Sequence, residues 1–315
     1  MSNDQAYRDV SAKDHGLRDK LMDFEGAMRL INDGDLVALG GTVITRDPVA
    51  AIWHIIRSKK RDLRVARTMM SFEAELLAVS GVASKFITSW MAIAGPLGVS
   101  KVISGLVNEG RVKLEEWSHM GILSRFQAGS MGLPFIPTFT MMGSDIIKGL
   151  PVKEMNCPFT GQRLCLVPAI NPSVAIIHVQ MADRYGNSQI IGMPIQDKEI
   201  ALSASKVIIT TEEVVDIDYI RRNSSKTTIP HFVVDAVVEA PFGAFPTECQ
   251  GYYEADIDYL SYIAKADRDG EGGIAKLLDE IIYSRKDFNE FIDSMSTAQM
   301  VKTMMNMKRL SRGDL

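Results

Sequence analysis

Two acidic clusters have the residue types and spacing for carboxylate chemistry. The first is Ser71-Phe72-Glu73-Ala74-Glu75, just after a predicted strand, Leu63 to Met70. Parallel sheets place ligand crevices at that end of their strands, and two carboxylates near one cleft can divide acid and base roles. The pattern equally suits a solvated helix start, with acidic residues near the positive end of the dipole. The second cluster is Glu115-Glu116-Trp117-Ser118-His119, followed by Arg125 and Gln127. It reads either as a catalytic segment or as an exposed acidic turn with Trp117 in the core. Ser118 and His119 are adjacent in sequence and no third residue is seen to orient them, so a catalytic triad is not indicated.

A third constellation is Asp33-Gly34-Asp35-Leu36-Val37-Ala38-Leu39-Gly40-Gly41-Thr42, followed by Arg46 and Pro48. Here a buried strand ends at glycines before a helix. Glycines let backbone amides approach an anion closely, and the following helix N-terminus favours negative charge; a plain structural turn uses the same residues. Arg46 has the planar fork that suits bidentate anions, or it is a surface arginine beside Asp47. Gly34, Gly40 and Gly41 do not fit GxGxxG, which argues against a nicotinamide dehydrogenase. The basic run Arg57 to Arg61 fits a solvated helix end better than a phosphate site.

The elements that must position these residues alternate. Asp23 to Asn32 has helical spacing, Leu36 to Leu39 is a strand, and Val49 to Arg57 is a helix. Leu63 to Met70 and Phe86 to Met91 read as strands, with helices at Glu73 to Ser80 and Val99 to Asn108. Further strands are expected at Arg163 to Pro168, Val174 to Met181, Lys206 to Thr211 and His231 to Val238, with a helix at Asp197 to Ser205. Ile274 to Arg312 reads as more continuously helical. Pro151, Pro158 and Gly161 mark Lys153 to Gly161 as a surface loop able to reach across a partner. This rhythm predicts an α/β fold with a mostly parallel sheet and a helical C-terminal part. No repeat or linker divides the chain, so residues 23–315 are expected to form one domain after a polar N-terminal extension, 1–22.

Composition narrows the function classes. The chain has 315 residues, 46% hydrophobic and 23% charged, which is ordinary for a soluble protein with a substantial core. Its 35 basic and 39 acidic residues leave a formal charge of -4, so nothing electrostatic favours nucleic acid or a membrane surface. The mixed-charge N-terminus lacks the apolar core of a secretory signal. The stretch Phe86 to Val107 is interrupted by Gly95, Pro96, Gly98, Lys101 and Gly105, which reads as strand, turn and helix rather than a membrane span. A cytoplasmic protein is expected. Cys157, Cys165 and Cys249 show neither disulfide nor metal-ligand spacing, and His15, His54, His119, His178 and His231 are scattered, so no metal site is expected.

The segment DGDLVALGG with its nearby proline resembles the N-terminal signature of A subunits of family I CoA transferases. Thr42 stands where an aromatic is common and Arg46 where glycine is common. The variant GG-x4-R-x-P is similar to the glutaconate CoA-transferase branch and to related steroid-ring-opening hydrolases. Matching pieces follow in order: Gly129 to Pro137 with Gly143-Ser144, Ala175 to Gln180, and Asp183 to Asn187. The most telling is Val234 to Pro246, followed by Cys249, Gly251 and Tyr252-Tyr253.

The resemblance implies a Rossmann-like subunit that pairs with a homologous B subunit, with the active site between them. A glutamate of the B subunit would attack the acyl-CoA carbonyl, and CoA would move between an acyl-CoA and a carboxylic acid. Coenzyme A is then a substrate, with no bound cofactor. In hydrolases of this fold the A subunit can carry the catalytic glutamate. The candidate catalytic residues are therefore Glu116, Glu115 and Glu73. The candidate substrate or CoA contacts are Gly40, Gly41, Thr42, Arg46, Ser71, Ser118 and Gln127. The alternatives are a hydrolase that opens a cyclic acyl-CoA and a non-catalytic ligand-sensing α/β protein.

Overall fold

The computed structural model describes residues 16–92 and 98–312, without the side chains of 306–312. Most of the expected N-terminal extension and the Gly95-Pro96 turn lie outside the described residues. In chain order the strands are β1 (Leu36–Leu39), β2 (Leu63–Ala66), β3 (Met69–Met70), β4 (Ala83–Thr88), β5 (Trp90–Met91), β6 (Lys113–Glu116), β7 (Phe135–Thr138), β8 (Lys153–Asn156), β9 (Arg163–Pro168), β10 (Val174–Asp183), β11 (Ser188–Gln189), β12 (Lys206–Val215), β13 (Thr227–Ile229) and β14 (Ala236–Glu239). The helices are α1 (Phe24–Met28), α2 (Val49–Arg57), α3 (Glu73–Val79), α4 (Lys101–Asn108), α5 (His119–Ser130), α6 (Asp197–Ser203), α7 (Ile217–Arg222), α8 (Ile257–Arg268), α9 (Glu271–Leu278), α10 (Phe288–Asp293) and α11 (Thr297–Arg312).

Seven strands run parallel in the order β14-β12-β10-β1-β2-β4-β6. Both faces of these strands are covered, which is why β1 and most of β10 and β12 are continuous buried runs rather than alternating ones. On one face Val37, Leu39, Phe86 and Ile176 pack with Ile52, Leu76 and Ile263 from the helices. On the other, Leu36, Ala38, Ile87 and Ile177 pack with Ile122, Phe126 and Ile200. The chain begins in the middle at β1, moves outward through β2, β4 and β6, then returns to β10 and moves the other way. The strand order therefore reverses between β1 and β10. Among the described residues, no helix is long and apolar enough to cross a membrane.

Several elements differ from the sequence reading. The first helix stops at Met28, because Asp35 turns its carboxylate back to the Asn32 amide at 2.7 Å. Lys20 to Met22, expected in the extension, join the fold: Met22 N–H donates to Val237 O and Val237 N–H to Lys20 O, both at 2.9 Å. The strands expected at 63–70 and 86–91 each break in two, with β3 and β5 pairing beyond the ends of β2 and β4. The strand expected from His231 starts only at Ala236, after a 3-10 turn over His231–Val233. The C-terminal helical run is broken by a π-helical turn at Asp279–Tyr283 and restarted by Asp287, whose side chain caps α10. Lys153 to Gly161 is not all loop. Its polar first half is β8, which pairs antiparallel with β9 in a small three-stranded sheet with β7.

Gly129 shows how tightly α5 and α6 close over the sheet. A Cβ there would lie 2.4 Å from Ile170 O and 2.8 Å from Ser203 Cβ. Because backbone and helix must shift together, Gly129→Ala is expected to cost about 1–3 kcal/mol of stability, read as a lower urea midpoint with an unchanged slope.

Candidate active site

The glycine turn after β1 lies where the strand order reverses, the place at which open α/β sheets bind ligands. Here that place is filled from within. Gly40 N–H donates to Ile176 O at 2.9 Å, and Gly41 N–H donates to Asp197 Oδ1 at 2.8 Å. Arg46 is fully buried and pairs with Asp197 Oδ2 at 2.7 Å, while also donating to Met193 O at 2.9 Å and His178 O at 3.2 Å. The anion received by the turn is thus Asp197, at the start of α6. The Gly40 and Gly41 amides and the Arg46 guanidinium are thus engaged within the chain, and Arg46 is not a surface arginine. Gly41 has φ +67°, Val43 +46° and Arg46 +51°. A β-branched valine in the left-handed region is an outlier that only a well-determined surrounding can hold. Thr42 is buried beside it, and its hydroxyl has no hydrogen-bond partner among the described residues.

The first acidic cluster is also interior. Arg67, at the end of β2, pairs with Glu73 Oε1 and lies 3.0 Å from Asp47 Oδ1, all three fully buried. Glu73 Oε2 takes the Ser71 backbone amide at 2.9 Å, and Ser71 is buried with it. Burial lifts the Asp47 carboxyl well above the usual range against the pull of Arg67. Glu75 is buried one helical step away, where loss of water pushes its pKa up to about 8, opposed by the Ser100 hydroxyl and reinforced by Glu73 and Asp267. The expected solvated helix start and the expected shared cleft are both replaced by a closed ionic cluster.

Glu115 and Glu116 belong to β6, and strand alternation sends them to opposite faces. Glu115 accepts from Arg125 and from Trp117 Nε1, both at 2.8 Å, and pairs with Lys85. The Arg125 guanidinium also lies over the Trp117 ring, 4.5 Å from its centroid. Burial alone would raise the Glu115 pKa, but Arg125, Lys85 and Trp117 hold it below the ordinary value. Glu116 is exposed and, among the described residues, has no ion-pair partner. With Leu114 it lines a cavity of about 500 Å³ at the C-terminal ends of β4 and β6, closed by Trp90, Met91, Ile103 and Val107. Ser118 caps α5, its hydroxyl accepting from Gly121 N–H at 3.0 Å. Gln127 is exposed nine residues beyond Ser118 along α5, about 13 Å away at the ordinary helical rise. Glu116 is the expected site residue that lines this cavity.

Sequence reasoning missed a buried chain of polar groups beside Arg46. His178 meets Thr210 Oγ1 through Nδ1 at 2.9 Å and Glu212 Oε1 through Nε2 at 2.7 Å. Tyr253 donates to the same Glu212 oxygen, and Phe242 N–H donates to Oε2 at 2.7 Å. Burial and the neighbouring Glu212 push the Tyr253 hydroxyl far up, and burial does the same for Cys249. Donor atoms of His178, Glu212 and Cys249 lie within 4.8 Å of one another, a spacing that could surround a cation. The histidine and glutamate atoms already satisfy each other, so hydrogen bonding accounts for the cluster. The signal was present in the matching pieces Ala175 to Gln180 and Val234 to Pro246, but nothing local indicates that they meet.

Two measurements check this interior. Arg46→Met leaves Asp197 buried without its cation and is expected to lose about 3–5 kcal/mol, part of which Asp197→Leu restores in the double variant. Because the folded state holds a proton on Glu75 that the unfolded chain releases near pH 4.5, stability should fall as pH rises from about 4.5 to about 8. Glu75→Gln should remove that slope, gaining up to about 1.4 kcal/mol per pH unit relative to the native chain. Parallel urea titrations at pH 5 and 8 would show no such difference if Glu75 were ordinarily ionised.

Residues 21–240 match the family described as Coenzyme A transferase. The chain is 38% identical over 271 residues to the A subunit of 3-oxoadipate CoA-transferase from Pseudomonas knackmussii, covering 85% of this chain and 94% of that one. It is 30% identical over 300 residues to the A subunit of glutaconate CoA-transferase from Acidaminococcus fermentans, covering 90% and 93%. The crystal structure of that glutaconate coenzyme A-transferase matches with a TM-score of 0.86 at 29% identity, covering 90% of this chain and 95% of that chain. A decarboxylase AibA/AibB structure matches with a TM-score of 0.73 at 31% identity, covering 82% and 98%. The chain therefore belongs to the coenzyme A transferase family, as an A-type subunit.

Proposed function

We propose that this chain works in the cytoplasm with a homologous B subunit, moving CoA between an acyl-CoA and a carboxylic acid, with residues 23–315 as one catalytic-complex domain. The observation that carries this reading is the state of the chain's own carboxylates. Of the four candidate carboxylates, Glu73, Glu75 and Glu115 are buried or ion-paired, and Glu116, which is open to a cavity, has no ion-pair partner among the described residues. A nucleophilic carboxylate needs amide donors placed for the oxyanion, so the nucleophile is best supplied in trans. A glutamate of the B subunit would attack the thioester carbonyl and expel CoA thiolate, leaving an acyl-glutamyl anhydride. The thiolate would then attack the glutamyl carbonyl, releasing the acid and leaving a glutamyl-CoA thioester for the second acid to reverse. Phe159, 94% exposed at the tip of the β8–β9 hairpin, supports a partner on that side.

The second reading is a CoA-ester hydrolase in which Glu116 is the general base, favoured by its exposed position at the cavity. The two differ in a measurement on the reconstituted complex. Under transfer, the isolated chain exchanges no CoA, borohydride traps a glutamyl thioester on the partner, and Glu116→Gln slows turnover by less than about tenfold. Loss of 10²–10⁴-fold in Glu116→Gln, with no trapped thioester and unchanged thermal stability, would establish the hydrolase.

A further inference from the structure

The cavity beside Glu116 has a chemistry that selects among acyl groups, and this inference rests on the transferase reading just given. Its body is apolar, walled by Trp90, Met91, Ile103, Val107 and Leu114. Its hydroxyls are already engaged: Thr88 and Ser89 donate to Thr68 O, Ser100 to Asp267 Oδ1 and Ser104 to Ser100 O. No Lys, Arg or His is among the described residues that line it, and its one ionisable side chain is Glu116. A carboxylate entering this space would meet no cation, with the Asn108 amide and the Trp90 indole N–H as the neutral side-chain donors left to it, and would face the like charge of Glu116, which costs affinity where water is partly excluded. A hydrocarbon chain would instead cover apolar surface that is otherwise wet.

We propose that this cavity receives the acyl chain of the substrate and admits chains with an uncharged far end, so that the acids served are monocarboxylic rather than dicarboxylic. Glu116 acts as the excluding charge: it rejects a second carboxylate and takes no part in bond making.

The test compares hexanoyl-CoA with adipoyl-CoA, which differ only in a terminal methyl or carboxylate, using the complex of this chain with its B subunit. The native complex should favour hexanoyl-CoA in kcat/KM by about tenfold or more. Glu116→Gln should narrow the ratio by about tenfold, chiefly by raising the adipoyl value. As a second variant, Ile103→Trp should fill the cavity and lower the hexanoyl value while sparing acetyl-CoA. A native preference for adipoyl-CoA, or an unchanged ratio in Glu116→Gln, would overturn the proposal. If the complex exchanges CoA with no acyl ester at all, the transferase reading fails, and equilibrium dialysis of the two esters then reads the cavity by itself: tighter hexanoyl-CoA binding relaxed by Glu116→Gln supports it, and equal binding sinks it.

Discussion

The buried ion pair between Arg46 and Asp197 is the constraint on which the catalytic end of the sheet depends. Two charges removed from water are costly unless hydrogen bonds satisfy them nearly completely. Here they are: the guanidinium has a carboxylate and two carbonyls, and the carboxylate also takes the Gly41 amide. The pair joins the turn after β1 to the start of α6, across the point where strand order reverses. It also determines the turn's unusual backbone, since Gly41, Val43 and Arg46 are all left-handed between the points it grips. His178 lends its carbonyl to Arg46 and its ring to Glu212, so the same interaction continues into the polar chain under β12 and the Tyr253 segment.

That arrangement explains why the open chemistry sits at the sheet's edge rather than its centre. In many α/β proteins the reversal point is left as a ligand crevice. In this chain Asp197 occupies the glycine turn and the Arg67 cluster closes the next position, leaving the ends of β4 and β6 as the open ground. The closed end is then a rigid floor, and the edge is where a ligand or a second polypeptide can approach.

Much of the fold was legible in the sequence because parallel strands buried on both faces are written as uninterrupted apolar runs, as in Leu36 to Leu39 and Val174 to Ile177. Strand β8 was not, since Lys153 to Asn156 is exposed and carries a single apolar residue, Met155, and α5 has too thin an apolar stripe to announce itself. The site was less legible for a specific reason. A desolvated arginine and a surface arginine look alike in one dimension, and the partner that distinguishes them for Arg46 lies 151 positions away. Glu73 and Glu75 pose the same difficulty. Glu115 and Glu116 do not: read as a strand, their adjacency alone places them on opposite faces, and the acidic pair dissolves into one structural and one accessible residue.

The division between those two glutamates bears on why such a chain works as half of an enzyme. Glu115 is kept ionised by three donors and can stabilise only what touches it, namely Trp117, Arg125 and Lys85. Glu75 has the opposite fate, with burial raising its pKa to about 8 and leaving it mostly neutral at ordinary pH. A carboxylate nucleophile must be ionised, reachable and backed by donors that favour the charge arising on the attacked carbonyl. Among Glu73, Glu75, Glu115 and Glu116, the buried or paired ones are not reachable, and the reachable Glu116 has no ion-pair partner among the described residues. A nucleophile supplied by a second polypeptide, as proposed above, would be compatible with these closed ion pairs, since it asks nothing of the buried carboxylates.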